Sequence, residues 1–273
     1  MDLRLQWTEL RAHDGAIPAF TAAPTNAREK LPAVIVIQEV WGVDDHIQDM
    51  TRRFATAGYL AAAPDLYARG GARPPALAPD RIERVKRFLD TTPGAWADPA
   101  AREAALEALP EAERAPMRDT LNAVLDPNRP IDRWVSDLVT AAAALRADPR
   151  CTDRVGSVGY CMGGLLSARL AGADPSLAAA VIYYGTSPSA EQMRDARAPL
   201  LGFYGEADTR VTGTVAPFEQ AMRKMGKSFE AHIYPGAPHA FFNDGRPSYR
   251  VDAARDAWAR TLGFFDEQLA PSA

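Results

Sequence analysis

Six short apolar runs, separated by helical stretches, restrict the fold of this chain more than any other feature. Pro32 opens Ala33-Val34-Ile35-Val36-Ile37, a β-branched run with no polar alternation. A strand reads this way when both its faces are buried, as in a parallel sheet. Similar runs follow at Tyr59–Ala63, Val155–Gly159, Ala179–Tyr184, Leu200–Tyr204 and, less purely, Phe229–Tyr234. Helical stretches are predicted at 45–57, 131–147, 163–172, 214–226 and 248–269. Strands alternating with helices predict an α/β architecture, a mostly parallel sheet covered on both faces. Residues 3–10 and 15–23 alternate differently, as two antiparallel strands joined at the polar turn His13-Asp14-Gly15.

A length of 273 residues suits one large α/β domain. No repeat, low-complexity tract or linker divides the sequence, so a single domain over 1–273 is expected. Residues 91–130 break the alternation. They carry Pro93, Pro99, Pro110, Pro116, Pro127 and Pro130 around Ala/Glu/Arg-rich stretches at 99–108 and 111–125. Two short helices are predicted there, forming either a surface insertion or a cap over the active site, with Trp96 or Trp134 lining its entrance.

A net charge of −4 argues against nucleic acid as a main partner, because phosphate binding needs concentrated Lys and Arg. No apolar run reaches the roughly 20 residues that cross a bilayer, and the first residues lack a signal peptide's apolar stretch. The expected location is the cytoplasm, without membrane association. Four scattered histidines, with no CxxC or HExxH pattern, give zinc no ligand set. No metal and no other cofactor is expected, and the oligomeric state is left open. Two cysteines make no disulfide framework. A strand predicted between Cys151 and Cys161 would hold them too far apart to pair.

The stretch Gly159-Tyr160-Cys161-Met162-Gly163-Gly164 carries the chemistry. A β-run ends at Gly159 and a helix begins near Gly163, so the segment has the form G-x-nucleophile-x-G with cysteine in the usual serine position. The flanking glycines let strand and helix pass closely around a strained residue. The helix N-terminus beside Cys161 favours a thiolate. Cys151 lies among Asp148, Pro149, Arg150 and Asp153, is placed in a loop, and has no such context. A thiolate nucleophile needs a base and an orienting acid, in the order nucleophile, acid, histidine. His232 and His239 are the histidines downstream. His232 falls inside a predicted strand, whereas His239 follows Pro235-Gly236-Ala237-Pro238, a loop leaving the carboxyl edge of the sheet. Asp208, just after the run Leu200–Tyr204, is preferred as the acid over Glu206 and Asp195 because the loop has by then cleared the strand end.

Together these residues resemble the dienelactone hydrolase family of carboxymethylenebutenolidase-like enzymes. Four motifs carry the resemblance: Gln38-Glu39-Val40-Trp41-Gly42, Pro64-Asp65-Leu66-Tyr67-Ala68-Arg69, Gly159-Tyr160-Cys161-Met162-Gly163-Gly164 and Pro238-His239-Ala240-Phe241. The resemblance implies an α/β-hydrolase fold and a carboxylic ester hydrolase that cleaves a small ester or lactone through Cys161, His239 and Asp208. It also implies that Glu39 contacts the resting cysteine and swings away when substrate binds. The N–H groups of Val40 and Met162 would form the oxyanion hole.

The family's reference members hold a substrate carboxylate with two arginines, one of them four residues beyond the histidine. Here that position is Asn243, and Arg246 is nearest. Arg73, Arg81 and Arg84 are candidates for the second, with Trp41 and Tyr67 as further substrate-binding candidates. Two other functions remain open: a general carboxylesterase on small activated esters, and a non-catalytic binding protein on the same fold.

Overall fold

The apolar runs are strands of one sheet, and their order shows why they are apolar throughout. The computed structural model describes residues 2–12, 15–92, 94–96 and 98–270; His13 and Asp14 of the predicted turn, and Pro93, lie outside them. Among the described residues eight strands pair in the order β1-β2-β4-β3-β5-β6-β7-β8. They are β1 Leu3–Ala12, β2 Gly15–Pro24, β3 Leu31–Ile37, β4 Leu60–Pro64, β5 Cys151–Tyr160, β6 Ala179–Tyr183, β7 Leu200–Gly205 and β8 Phe229–Tyr234. The first two form the predicted antiparallel pair, β2 joins β4 antiparallel, and the strands from β4 to β8 run parallel. Cys151 opens β5 and is buried, so its predicted place in a loop is corrected. The Asp148-Pro149-Arg150 turn formers end just before it. A left-handed Asp153 and a register shift against β3 then absorb the irregularity that a loop was expected to hold.

Residue contacts divide the chain into two compact units, residues 1–70 with 130–273 and residues 71–129. In the larger unit the sheet carries helices on both faces. Helix α1 (Asp45–Thr56) and the C-terminal helix Val251–Gln268 bury Phe54, Ala257 and Phe265 in one cluster with Val34, Val36, Val158, Val181 and Phe203 of the strands. Helices α5 (Ile131–Arg146) and α6 (Met162–Ala173) pack on β5 and β3. Each fully buried aliphatic or aromatic side chain stabilises the fold by about 1.5–3 kcal/mol, and the last five residues of β3, from Ala33 to Ile37, are completely covered. The smaller unit holds α2 (Pro79–Thr91), α3 (Pro99–Glu107) and α4 (Glu111–Val124), the last two at the places predicted. Arg81 of α2 donates to Thr120 and to the Pro116 carbonyl of α4, and Arg118 of α4 pairs with Glu103 and Glu107 of α3. No helix among the described residues is long and apolar enough to cross a membrane.

The strand order places the site. From β3 the chain winds one way to β4 and the other way to β5, so the carboxyl ends of β3 and β5 flank a switch point. Loops diverge there and leave a crevice. Glu39 follows β3, and Cys161 follows β5.

Candidate active site

Cys161 sits between β5 and α6 with φ 55° and ψ −115°, a left-handed conformation that costs a non-glycine residue about 1–3 kcal/mol. Its neighbours over-determine that conformation. The Cys161 N–H donates to the Tyr183 carbonyl at 3.0 Å, and the Cys161 carbonyl accepts from the Gly164 N–H at 3.0 Å. A Cβ on Gly159 would lie 1.8 Å from the Gly163 carbonyl oxygen, and one on Gly163 would lie 2.4 Å from that of Ile37. Only glycine fits at either position, which is why the turn can be so tight. The Met162 N–H opens α6 and is one of the donors that a helix leaves without an internal acceptor.

His239 and Asp208 meet Cys161 from the next loops. His239 Nε2 lies 3.2 Å from Cys161 Sγ, and His239 Nδ1 lies 2.5 Å from Asp208 Oδ2. The Asp208 loop is held from several sides. The N–H groups of Glu206 and Ala207 donate to the Tyr234 and Ala237 carbonyls at 3.0 Å each, and the Thr212 hydroxyl donates to the Gly205 carbonyl at 2.6 Å. Burial opposes a charge on His239, but the Cys161 sulfur and the Asp208 carboxylate outweigh it, and the imidazole pKa is pushed up to about 10. Tyr184 packs edge-on against this imidazole with ring centres 5.2 Å apart. The rival acids are placed elsewhere: Glu206 accepts from the Gly236 N–H at 2.9 Å, and Asp195 is exposed. His232 pairs with Glu230 and stacks on Phe203.

The Gln38–Gly42 loop is stitched to the Pro64–Arg69 motif. Gln38 Oε1 accepts from the Leu66 N–H at 3.0 Å, and the Tyr67 hydroxyl donates to the Val40 carbonyl at 2.9 Å. Tyr67 is therefore engaged with the backbone that follows the Val40 N–H. Glu39 is 2% exposed and accepts from Asn243 Nδ2 at 3.0 Å through Oε2; no hydrogen bond joins it to Cys161. Trp41 lies under the Arg246 guanidinium, 5.4 Å from ring centre to carbon. Arg73, Arg81 and Arg84 all belong to the smaller unit, where Arg81 is held by α4 and Arg84 pairs with Asp80 at the surface. The sequence marked Asn243 as a departure from the family pattern and missed it as the partner of Glu39. It gave no sign of Tyr184.

A mixed sheet with helices on both faces, and a strained residue at a tight strand-to-helix turn, define an α/β-hydrolase. The chain belongs to the dienelactone hydrolase family, whose model matches residues 17–269. It is 35% identical over 254 residues to a "Putative carboxymethylenebutenolidase" of Saccharolobus solfataricus, covering 92% of this chain and 94% of that one. A protein of the same name from Escherichia coli K12 is 31% identical over 272 residues, 96% of this chain and 86% of the relative. The crystal structure of a "Putative Dienelactone Hydrolase" from Klebsiella pneumoniae superposes with a TM-score of 0.73 at 31% identity, over 98% of this chain and all of that one. Membership of this family makes the chain a carboxylic ester hydrolase.

Proposed function

We propose that this hydrolase cleaves a small ester or lactone by acyl transfer to Cys161, with His239 and Asp208 completing the triad. The observation that carries the reading is the chain of contacts from Cys161 Sγ to His239 Nε2, 3.2 Å, and from His239 Nδ1 to Asp208 Oδ2, 2.5 Å, at a strained turn. The Cys161 thiolate attacks the ester carbonyl, and its oxygen gathers charge against the N–H groups of Met162 and Val40. Collapse breaks the C–O bond, and His239 gives its Nε2 proton to the departing enolate or alkoxide. A thioester on Cys161 remains. The negative sulfur that raised the His239 pKa is then gone, so the imidazole is free to accept a proton from water. Attack by that water breaks the C–S bond and releases the acid. Asp208 holds the imidazole tautomer throughout.

A thiolate leaves more readily than an amine or an ordinary alkoxide. Enol lactones and aryl or thiol esters are therefore the substrates, and amides are not. A buried amide at position 243, bound to Glu39, favours small activated esters broadly over anionic lactones alone. The Cys161→Ala variant should lose hydrolysis of an aryl ester by about 10⁴-fold or more while keeping its fold. Cys151→Ala should behave as the parent. An active Cys161→Ala variant would end the triad reading.

A further inference from the structure

The motif Pro64–Arg69 holds no member of the triad, yet it closes around the loop that carries Val40. Residues 39–42 turn between β3 and α1, and the bond that closes the turn is long: the Gly42 N–H donates to the Glu39 carbonyl at 3.4 Å. That carbonyl belongs to the same flat peptide unit as the Val40 N–H, so a weak turn bond leaves the N–H poorly aimed. Support comes from outside the turn. On one side the Leu66 N–H donates to Gln38 Oε1 at 3.0 Å, and on the other the Tyr67 hydroxyl donates to the Val40 carbonyl at 2.9 Å. Tyr67 is itself anchored. Its N–H donates to Asp65 Oδ1 at 3.1 Å, and its ring centre lies 5.7 Å from that of Trp134 on α5. Two residues on, Arg69 pairs with Asp137, one turn further along α5, and the Gly70 N–H donates to the Ala16 carbonyl of β2 at 3.1 Å. Trp134 and Asp137 are three positions apart and so share a helix face. Tyr67, Trp134 and Asp137 are all buried.

We propose that Tyr67 is a positioning residue that aims the Val40 N–H into the oxyanion hole, with Trp134 and Asp137 of α5 holding Tyr67 in place. The inference rests on the proposed acyl transfer and on Val40 as a donor in it. The Met162 N–H needs no such help, because α6 fixes it. Val40 sits in a turn, and a donor that must swing into line as charge develops loses much of its catalytic worth. The Tyr67 hydroxyl fixes the peptide unit after Val40, as Gln38 fixes the chain before it, so the N–H between them keeps one direction. Tyr67 therefore acts through the backbone and does not meet the substrate. The oxyanion forms twice in each turnover. When the thiolate attacks the ester, the C–S bond forms and the carbonyl π pair moves to oxygen; when water attacks the thioester, a C–O bond forms and the π pair moves to oxygen again. Loosening the donor slows both steps alike, so kcat falls and KM stays.

Tyr67→Phe removes the hydroxyl and keeps a ring against Trp134. On an aryl ester its kcat should fall about tenfold, with KM within about twofold of the parent's. Iodoacetamide supplies the contrast. Its alkylation of Cys161 forms a C–S bond and expels iodide at a saturated carbon, with no oxyanion, so Tyr67→Phe should react within about twofold of the parent's rate. An aryl trifluoromethyl ketone adds to the sulfur and places an oxyanion in the hole. Its inhibition constant should rise about tenfold, in step with the loss in kcat. If the phenylalanine variant fails to fold, Trp134→Phe, which shortens the support for Tyr67, should show the same pattern at about threefold. An unchanged kcat in the folded variant overturns the proposal. So does alkylation slowed as much as hydrolysis, because a merely structural tyrosine would disturb the elbow and the hole together. The underlying reading fails separately: iodoacetamide that labels the parent elsewhere than at Cys161 removes the nucleophile and the proposal with it, whereas an unchanged kcat with Cys161 labelled removes only the role of Tyr67.

Discussion

Two carboxyl groups, Glu39 buried and Asp208 half-buried, flank the histidine segment, and they are held in opposite ways. Asp208 meets the start of the segment, where His239 Nδ1 lies 2.5 Å from its Oδ2. Glu39 meets the end, where Asn243 donates at 3.0 Å. The partner of Asp208 takes up a proton, and the charge of Asp208 helps to raise the His239 pKa to about 10. The partner of Glu39 is an amide, which neither gains nor loses a proton near neutral pH. One carboxylate therefore faces a group that titrates, and the other faces one that does not. The same backbone segment thus reaches both carboxylates, from positions four residues apart.

If the proposed triad holds, breaking the contact between His239 and Asp208 should cost most. His239→Ala removes the proposed base and should lower kcat/KM on an aryl ester by about 10⁴-fold, measured against the parent at matched pH. A loss of less than about tenfold would show that the base is elsewhere. Asp208→Asn preserves shape and removes the charge, so the imidazole loses its tautomer and its counter-ion. A fall of about 10²–10³-fold is expected, mainly in kcat. Glu206→Gln in the same loop should change kcat/KM by less than about threefold, since Glu206 only accepts from the Gly236 backbone; equal losses in the two variants would erase the distinction. On the Asn243 side, Glu39→Gln keeps an oxygen for Asn243 to bind. It should lower kcat/KM by less than about tenfold.

The smallest expected effect is on stability. The folded-state pKa of His239 lies above its ordinary value of 6.5, so protonation stabilises the folded protein fully below about pH 6.5, and that contribution fades as pH rises toward 10. The parent should exceed His239→Gln in Tm by a few degrees at about pH 6 and converge on it near pH 10. A gap that widens with rising pH would contradict the raised pKa.

The residues that meet Cys161 could be named as candidates from the sequence, and the bond between Glu39 and Asn243 could not. Gly159 and Gly163 are visible because a steric demand selects one residue type at fixed spacing, and the apolar runs are visible because burial on both faces leaves no polar position. His239 and Asp208 could be named as candidates because strand ends direct their loops to one edge of the sheet. The bond from Glu39 to Asn243 joins residues 204 positions apart through a neutral amide, and neither periodicity nor charge patterning marks such a pair. Tyr184 is hidden for a related reason. It ends a run that looks like ordinary strand, and its left-handed φ of 41° follows directly after the last residue of β6. Cys151 was misplaced because turn-forming neighbours outweigh one buried residue in a local reading.

The central claim is that acyl transfer passes through the Cys161 sulfur, and the covalent intermediate tests it directly. Asp208→Asn enzyme mixed with an activated aryl ester and quenched in acid within the first turnovers should gain the mass of one acyl group. The adduct should map to the peptide carrying Cys161 and be released by hydroxylamine. Absence of any adduct during turnover, or an adduct on a residue other than Cys161, would contradict the account.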